Sequence, residues 1–154
     1  MTPKRPATAA SVLESENALV IVCRGGDCGS RRKHPTLDHA AQLAAIRSGV
    51  SGAAEVLVSK CLDACEHSNV IVVVPGQKDR SRGAEPVWLG EVNDADVTAD
   101  LIDWVTGADH WSVQPPTLVD IHTFTPTRRS RHELEDPDTV PAARSERQKR
   151  KSNT

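Results

Sequence analysis

Apolar residues fall in short blocks separated by polar turns, and several blocks are too rich in β-branched residues to suit helices. Ala18-Leu19-Val20-Ile21-Val22 runs unbroken into Cys23, the pattern of a strand buried on both faces. Residues 54–60, centred on Val56-Leu57-Val58, predict a second strand that stops at Cys61. Val70-Ile71-Val72-Val73-Val74 is the most strongly β stretch of the chain and is halted by Pro75-Gly76, where proline and glycine punctuate the pattern. A polar loop over residues 77–85 then leads to a short strand at Val87-Trp88-Leu89.

Two segments repeat with a helical period. Thr36 is placed to cap a helix over residues 37–48, with Gly49 as its stop. The apolar side of that helix is Ala40, Leu43, Ile46 and Val50, backed by Ala41 and Ala44. Asp94 caps a second helix over residues 95–106, ended by Gly107. Its buried stripe is Val97, Leu101, Trp104 and Val105, while Asp96, Asp100 and Asp103 lie on another face. Beyond it Trp111, Val113, Leu118, Val119, Ile121 and Phe124 are scattered among prolines, and they are expected to pack back without a regular helix. The resulting order is β-α-β-β-β-α. Its first three elements make a βαβ unit with a right-handed crossover, and its last two strands pair as a hairpin. The expected fold is therefore α/β and thioredoxin-like, a mixed sheet of about four strands with two main helices.

Composition adds the ends. The 154 residues are 38% apolar and hold three Trp, one Phe and no Tyr, so the core is aliphatic and more polar residue is present than one core needs. Residues 1–15 read as a flexible lead and residues 126–154 as a disordered tail, which leaves residues 16–125 as the domain. The tail has three prolines and few apolar side chains beyond Leu134 and Val140, too little burial to offset its ordering entropy. It is expected to be dispensable for folding. It is also basic, with eight Lys and Arg against five Asp and Glu, whereas residues 16–125 hold nine against fifteen. An acidic body without an aromatic ladder does not suggest nucleic acid as a partner. No run approaches the roughly 18 apolar residues of a membrane span. Met1-Thr2-Pro3-Lys4-Arg5 has no apolar segment behind it, so a cytoplasmic location is expected, with the four cysteines as reduced thiols.

Those cysteines carry the chemistry. Cys23 and Cys28 are spaced C-x4-C, and Cys61 and Cys65 are spaced C-x3-C. Cys23 ends the first strand and Cys61 the second. In a βαβ unit the two strands are parallel, so both loops leave the same edge of the sheet and four thiols converge there. Four thiolates suit a soft metal centre. Spacing and fold leave three occupants open: an iron–sulfur cluster, structural zinc, or a pair of disulfides. The C-x-x-C of dithiol oxidoreductases is absent. Gly25, Gly26 and Gly29 would let backbone N–H groups approach inorganic sulfide.

Val20-Ile21-Val22-Cys23 with Cys28-Gly29, Cys61-Leu62-Asp63-Ala64-Cys65, Val70-Ile71-Val72-Val73-Val74-Pro75 and Val87-Trp88-Leu89-Gly90-Glu91-Val92 together resemble the thioredoxin-like 2Fe–2S ferredoxins. The pairing is similar to that of the small cluster-bearing subunit of NADH:quinone oxidoreductase. The resemblance covers residues 19–105. It implies that Cys23, Cys28, Cys61 and Cys65 ligate a 2Fe–2S cluster and that the chain is a one-electron carrier rather than an enzyme. A helical extension ahead of the first strand is not seen, which favours a stand-alone ferredoxin-like protein. An all-cysteine cluster of this type carries −2 when oxidised and −3 when reduced, so a low potential is expected, on the order of −400 to −200 mV. The alternative is a four-cysteine zinc module on the same fold without redox activity. The implied partner is an unidentified redox protein, with no membrane association and with a homodimer left open.

His67, two positions after Cys65, is the one histidine placed to substitute for a cysteine ligand, and its simpler role is a loop residue. His34, His39, His110, His122 and His132 read as surface residues. Arg31-Arg32-Lys33 is either a solvated turn or a docking patch for an acidic partner, and Arg147-Gln148-Lys149-Arg150-Lys151 is a short basic tail. Gly25-Gly26 lacks the Lys-Ser/Thr of a phosphate loop.

Overall fold

Each apolar block forms a strand, and the strands assemble as their hydrophobicity requires. In the computed structural model, which describes residues 11–141, β1 (Leu19–Cys23), β2 (Glu55–Ser59), β3 (Ile71–Val74) and β4 (Val87–Leu89) form one sheet in the order β2-β1-β3-β4. β1 runs parallel to β2, with Cys23 opposite Ser59. It runs antiparallel to β3, which pairs antiparallel with β4. All residues of the central strands β1 and β3 are buried, as continuous apolar runs demand. This is the mixed α/β sheet expected from the sequence. Among the described residues no helix is long and apolar enough to cross a membrane.

Among the described residues five α-helices accompany the sheet: α1 (His39–Gly49), α2 (Gln77–Arg80), α3 (Ala95–Thr106), α4 (Thr117–Ile121) and α5 (Arg128–Glu135). The two long ones, α1 and α3, cover one face. Ile46 and Val50 join Val97, Leu101, Trp104 and Val105 against Val20, Val22, Ile71, Val73 and Leu89. A fully buried Leu or Val contributes about 1.5–3 kcal/mol, so this layer is a major source of stability. Asp94 caps α3 by accepting from the Val97 N–H at 3.0 Å, as expected. On α1 the cap is Asp38, which accepts from Ala41 N–H at 3.0 Å, rather than Thr36. The anticipated alanine side of α1 is also rotated: Ala40, Ala41 and Ala44 are exposed, and Gln42 is buried with Ile46. Gly49 is a packing residue as well as an end, since a Cβ there would stand 2.6 Å from Cγ2 of Ile102 on α3.

The opposite face corrects the expected boundaries. Leu19, Ile21, Leu57, Val72, Val74 and Trp88 are covered by Val12, Leu134 and Val140. Leu134 lies on α5, 2% exposed, and Val140 just beyond it is 1% exposed. The segment 126–141, expected to stay unpacked, therefore belongs to the domain. So does the turn Val12–Glu14, part of the expected lead. The reason is local. Thr127 caps α5 by accepting from Ser130 N–H at 3.0 Å, and two apolar side chains suffice to close a small patch. Residues 1–10 and 142–154, the rest of the lead and tail, lie outside the described residues. A second correction concerns residues 117–121, which form α4 and bury Val119.

Candidate functional site

Because β1 and β2 are parallel, the loops after Cys23 and after Ser59 emerge side by side at one edge. They also cross. A Cβ on Gly25 would run into the backbone of Lys60 and Cys61, so only glycine permits this approach. Next to it Gly26 has φ +55°, and a Cβ there would stand 2.9 Å from Cys65 Sγ and 3.3 Å from Cys61 Sγ. The backbone of the first loop is thus laid against the sulfurs of the second.

The four thiols are brought together as two pairs. Cys23 and Cys28 are 1% and 2% exposed, while Cys61 and Cys65 are half-buried; none is in a disulfide. Cys61 Sγ and Cys65 Sγ stand 3.6 Å apart, close to the separation of about 3.8 Å for two thiolates sharing one tetrahedral ion with metal–sulfur bonds of about 2.3 Å. Backbone amides already point at sulfur. Val70 N–H donates to Cys28 Sγ at 3.2 Å, and Asp63 N–H donates to Cys61 Sγ at 3.4 Å. Among the described residues no group of three or more Cys, His, Asp or Glu side chains gathers round a single point able to hold one metal ion.

Electrostatics divides the pairs. The Cys23 thiol is pulled down from 9.0 to about 6, chiefly because Cys28 stabilises its thiolate by hydrogen bonding, with backbone groups of Gly25 and Leu62 adding to this against the cost of burial. Cys28 is correspondingly pushed up, by that same hydrogen bond and by burial. Cys61 is pushed up by burial first. The pairs also sense each other: the charge of Cys65 acts on Cys28, and that of Cys23 on Cys61. Ser59, opposite Cys23 across the sheet, has its Oγ buried without a hydrogen-bond partner. An anionic sulfur at Cys23 gives that hydroxyl an acceptor.

The chemistry of this donor set fits an iron–sulfur group. It offers four sulfurs in two pairs, amides aimed at two of them, a hydroxyl awaiting an anion, and glycine backbone beside the half-buried pair. The residues that would hold the group are Cys23, Cys28, Cys61 and Cys65.

His67 is not brought into the sulfur set. Its ring stacks on Phe124 with centroids 3.9 Å apart, and its Nε2 lies 3.8 Å from Glu66 Oε1. His34 bonds to Ser68 Oγ at 2.8 Å and His122 to the Gly90 carbonyl at 2.9 Å. His110 packs edge-on to Trp104, His39 is half-buried with its Nε2 enclosed, and His132 is exposed on α5. Arg31, Arg32 and Lys33 form an exposed turn, with Lys33 3.9 Å from Asp27. Asp96 and Asp103 are exposed and Asp100 is half-buried. The basic run at 147–151 lies outside the described residues.

Sequence reasoning missed Arg24. Its guanidinium reaches the Gln42 Oε1 at 2.8 Å and the carbonyls of His39 and Cys23 at 3.1 and 3.2 Å. The available signal was a glutamine at position 42 among the apolar residues of α1, where a buried amide needs a partner.

No protein-family model, curated protein or solved structure matches this chain, so the reading of the site rests on its residues.

Proposed function

We propose that the protein is a one-electron carrier holding a 2Fe–2S cluster on Cys23, Cys28, Cys61 and Cys65, working with a separate redox protein and not as an enzyme by itself. When bound, the cluster takes up and returns one electron; the chain supplies ligands, hydrogen bonds and a partner surface. The observation that carries this reading is the grouping of the sulfurs. One zinc ion wants its thiolates round a single point, whereas a two-iron centre with four cysteines wants two thiolates for each iron. The chain presents two pairs. The Val70 and Asp63 amides stabilise anionic sulfur, and the burial of Cys23 and Cys28 keeps water from half of the ligand set. Reduced thiols in this arrangement suit the cytoplasm.

The test is metal and sulfide analysis of anaerobically purified protein, which should give about two irons and two acid-labile sulfides per chain. Full zinc without sulfide would establish the zinc module instead. Single Ala substitutions at each of the four cysteines should abolish or severely weaken the visible spectrum. His67→Ala should leave it nearly unchanged, because that ring is occupied with Phe124.

A further inference from the structure

Arg24 is a half-buried cation that no anionic side chain among the described residues answers. Among the described residues the ion pairs are Lys33–Asp27, His67–Glu66 and Arg129–Asp63, and Arg24 belongs to none of them. It is held by neutral acceptors: the Cys23 and His39 carbonyls, Gln42 Oε1 at 2.8 Å and Asn69 Oδ1 at 3.5 Å. Those acceptors are themselves fixed. Buried Gln42 donates through Nε2 to the Val92 carbonyl at 2.9 Å and to Thr98 Oγ1 at 3.3 Å. Fully buried Asn69 donates to Asn93 Oδ1 at 2.8 Å. A guanidinium withdrawn from water without a carboxylate is costly, and here two helices and a loop hold it in that position. It adjoins Cys23 in the chain and donates to that residue's own carbonyl at 3.2 Å; burial pushes its pKa down, and the negative charges of Cys28 and Cys23 oppose that.

We propose that Arg24 is the fixed counter-charge of the cysteine centre, kept free of carboxylates so that its charge acts on the sulfurs and raises the centre's reduction potential. This rests on the electron-carrier reading. A centre of four thiolates, two ferric ions and two sulfides carries −2, and one electron makes it −3. A nearby positive charge favours the second state more than the first. Removing it therefore shifts the one-electron equilibrium toward the oxidised form, by about tenfold, which corresponds to about 59 mV. Because Arg24 is half-buried, the shift should persist at high salt, where the effect of exposed charges fades.

The experiment is an anaerobic redox titration, followed in the visible spectrum, of the full chain and of Arg24→Gln, Arg24→Lys and Gln42→Glu. Gln42→Glu leaves Arg24 in place and supplies the carboxylate it lacks. The expected result is a lower midpoint for Arg24→Gln and for Gln42→Glu, with Arg24→Lys near the wild type. Loss of the group in Arg24→Gln alone, with Arg24→Lys retaining it, shows the same dependence on charge in a stronger form. Equal midpoints for wild type and Arg24→Gln overturn this assignment alone. If neither Arg24 variant retains the group, an unshifted midpoint in Gln42→Glu overturns it too. Wild-type protein with zinc and no sulfide ends the assignment together with the electron-carrier reading.

Discussion

The two loops that bear the cysteines end neighbouring parallel strands, yet different parts of the chain hold them. The first is tied from within the sheet and its helices. Cys28 Sγ accepts from Val70 N–H, and Arg24 at its start is gripped by α1 and by Asn69. The second loop is tied largely by the far end of the chain. Ser130 Oγ donates to the Asp63 carbonyl at 3.0 Å, Arg129 pairs with Asp63 at 3.3 Å, and Lys60 N–H donates to the Thr139 carbonyl at 2.8 Å. Half of the proposed ligand set is thus built into the core. The other half depends on a polar segment about seventy residues downstream, for which burial of Leu134 and Val140 provides the attachment.

Removing that segment is the strongest way to break the contrast. A chain ending at Thr125 loses two fully buried side chains, roughly 3–6 kcal/mol at about 1.5–3 kcal/mol each, a large part of a typical 5–15 kcal/mol. It also uncovers Val12 and Leu57 and removes the partners of the Lys60 N–H and the Asp63 carbonyl. Its urea midpoint should fall sharply, and it should hold far less iron than the full chain. A chain ending at Pro141 keeps every contact described and should match the full chain in both measurements. Equal stability of the two truncated chains would show that the packing of α5 contributes nothing.

A second contrast lies in protonation, and the metal-free, reduced protein exposes it. The folded Cys23 thiol titrates near 6 against an ordinary 9.0. Between those values the unfolded chain binds a proton that the folded chain has released, so stability rises with pH. Above about 9 the sign reverses. Cys28 and Cys61 are raised in the fold, so there the folded chain keeps protons that the unfolded chain gives up. Tm followed by far-ultraviolet circular dichroism should climb from pH 6 toward 9 and decline beyond it. Cys23→Ser should remove the rising limb and weaken the falling one, because Cys28 is raised chiefly by Cys23 whereas Cys61 is raised first by burial. A flat profile in the wild type would show that the buried pair does not share a proton.

The parallel pairing of β1 with β2, the hairpin of β3 and β4, the two long helices and the convergence of the loops were legible because each depends on a local, strongly periodic pattern. Val70 to Val74 has no alternative to a buried strand, and Asp94 with Gly107 brackets α3 at both ends. Parallel pairing of β1 with β2 then places Cys23 and Cys61 at one edge without further information. The second face of the sheet was harder to read. β1 is apolar at every position, which already demands two covers, yet only one amphipathic layer is visible in the sequence. The other is made by Val12, Leu134 and Val140, isolated in polar surroundings and joined only by tertiary contact. Arg24 and Gln42 were hidden for a related reason: a partly buried hydrogen bond between residues eighteen apart leaves no periodic trace in either segment.

The smallest test separates the ties on the second loop. Ser130 is buried, and its hydroxyl is the donor to the Asp63 carbonyl. Ser130→Ala removes that bond and leaves the carbonyl short of a partner, at a cost of about 1 kcal/mol. Arg129 and Asp63 are both largely exposed, and solvent screening reduces such a pair to about 0–1 kcal/mol. Arg129→Ala should therefore move the urea midpoint less than Ser130→Ala. The local readout is sharper than the global one. Amide exchange at Asp63, whose N–H donates to Cys61 Sγ, should quicken in Ser130→Ala. Exchange at Val70, which donates to Cys28 Sγ in the first pair, should stay at the wild-type rate. Equal acceleration at Asp63 and Val70 would mean that the two loops open as one unit, and the division between a core-held pair and a tail-held pair would fall.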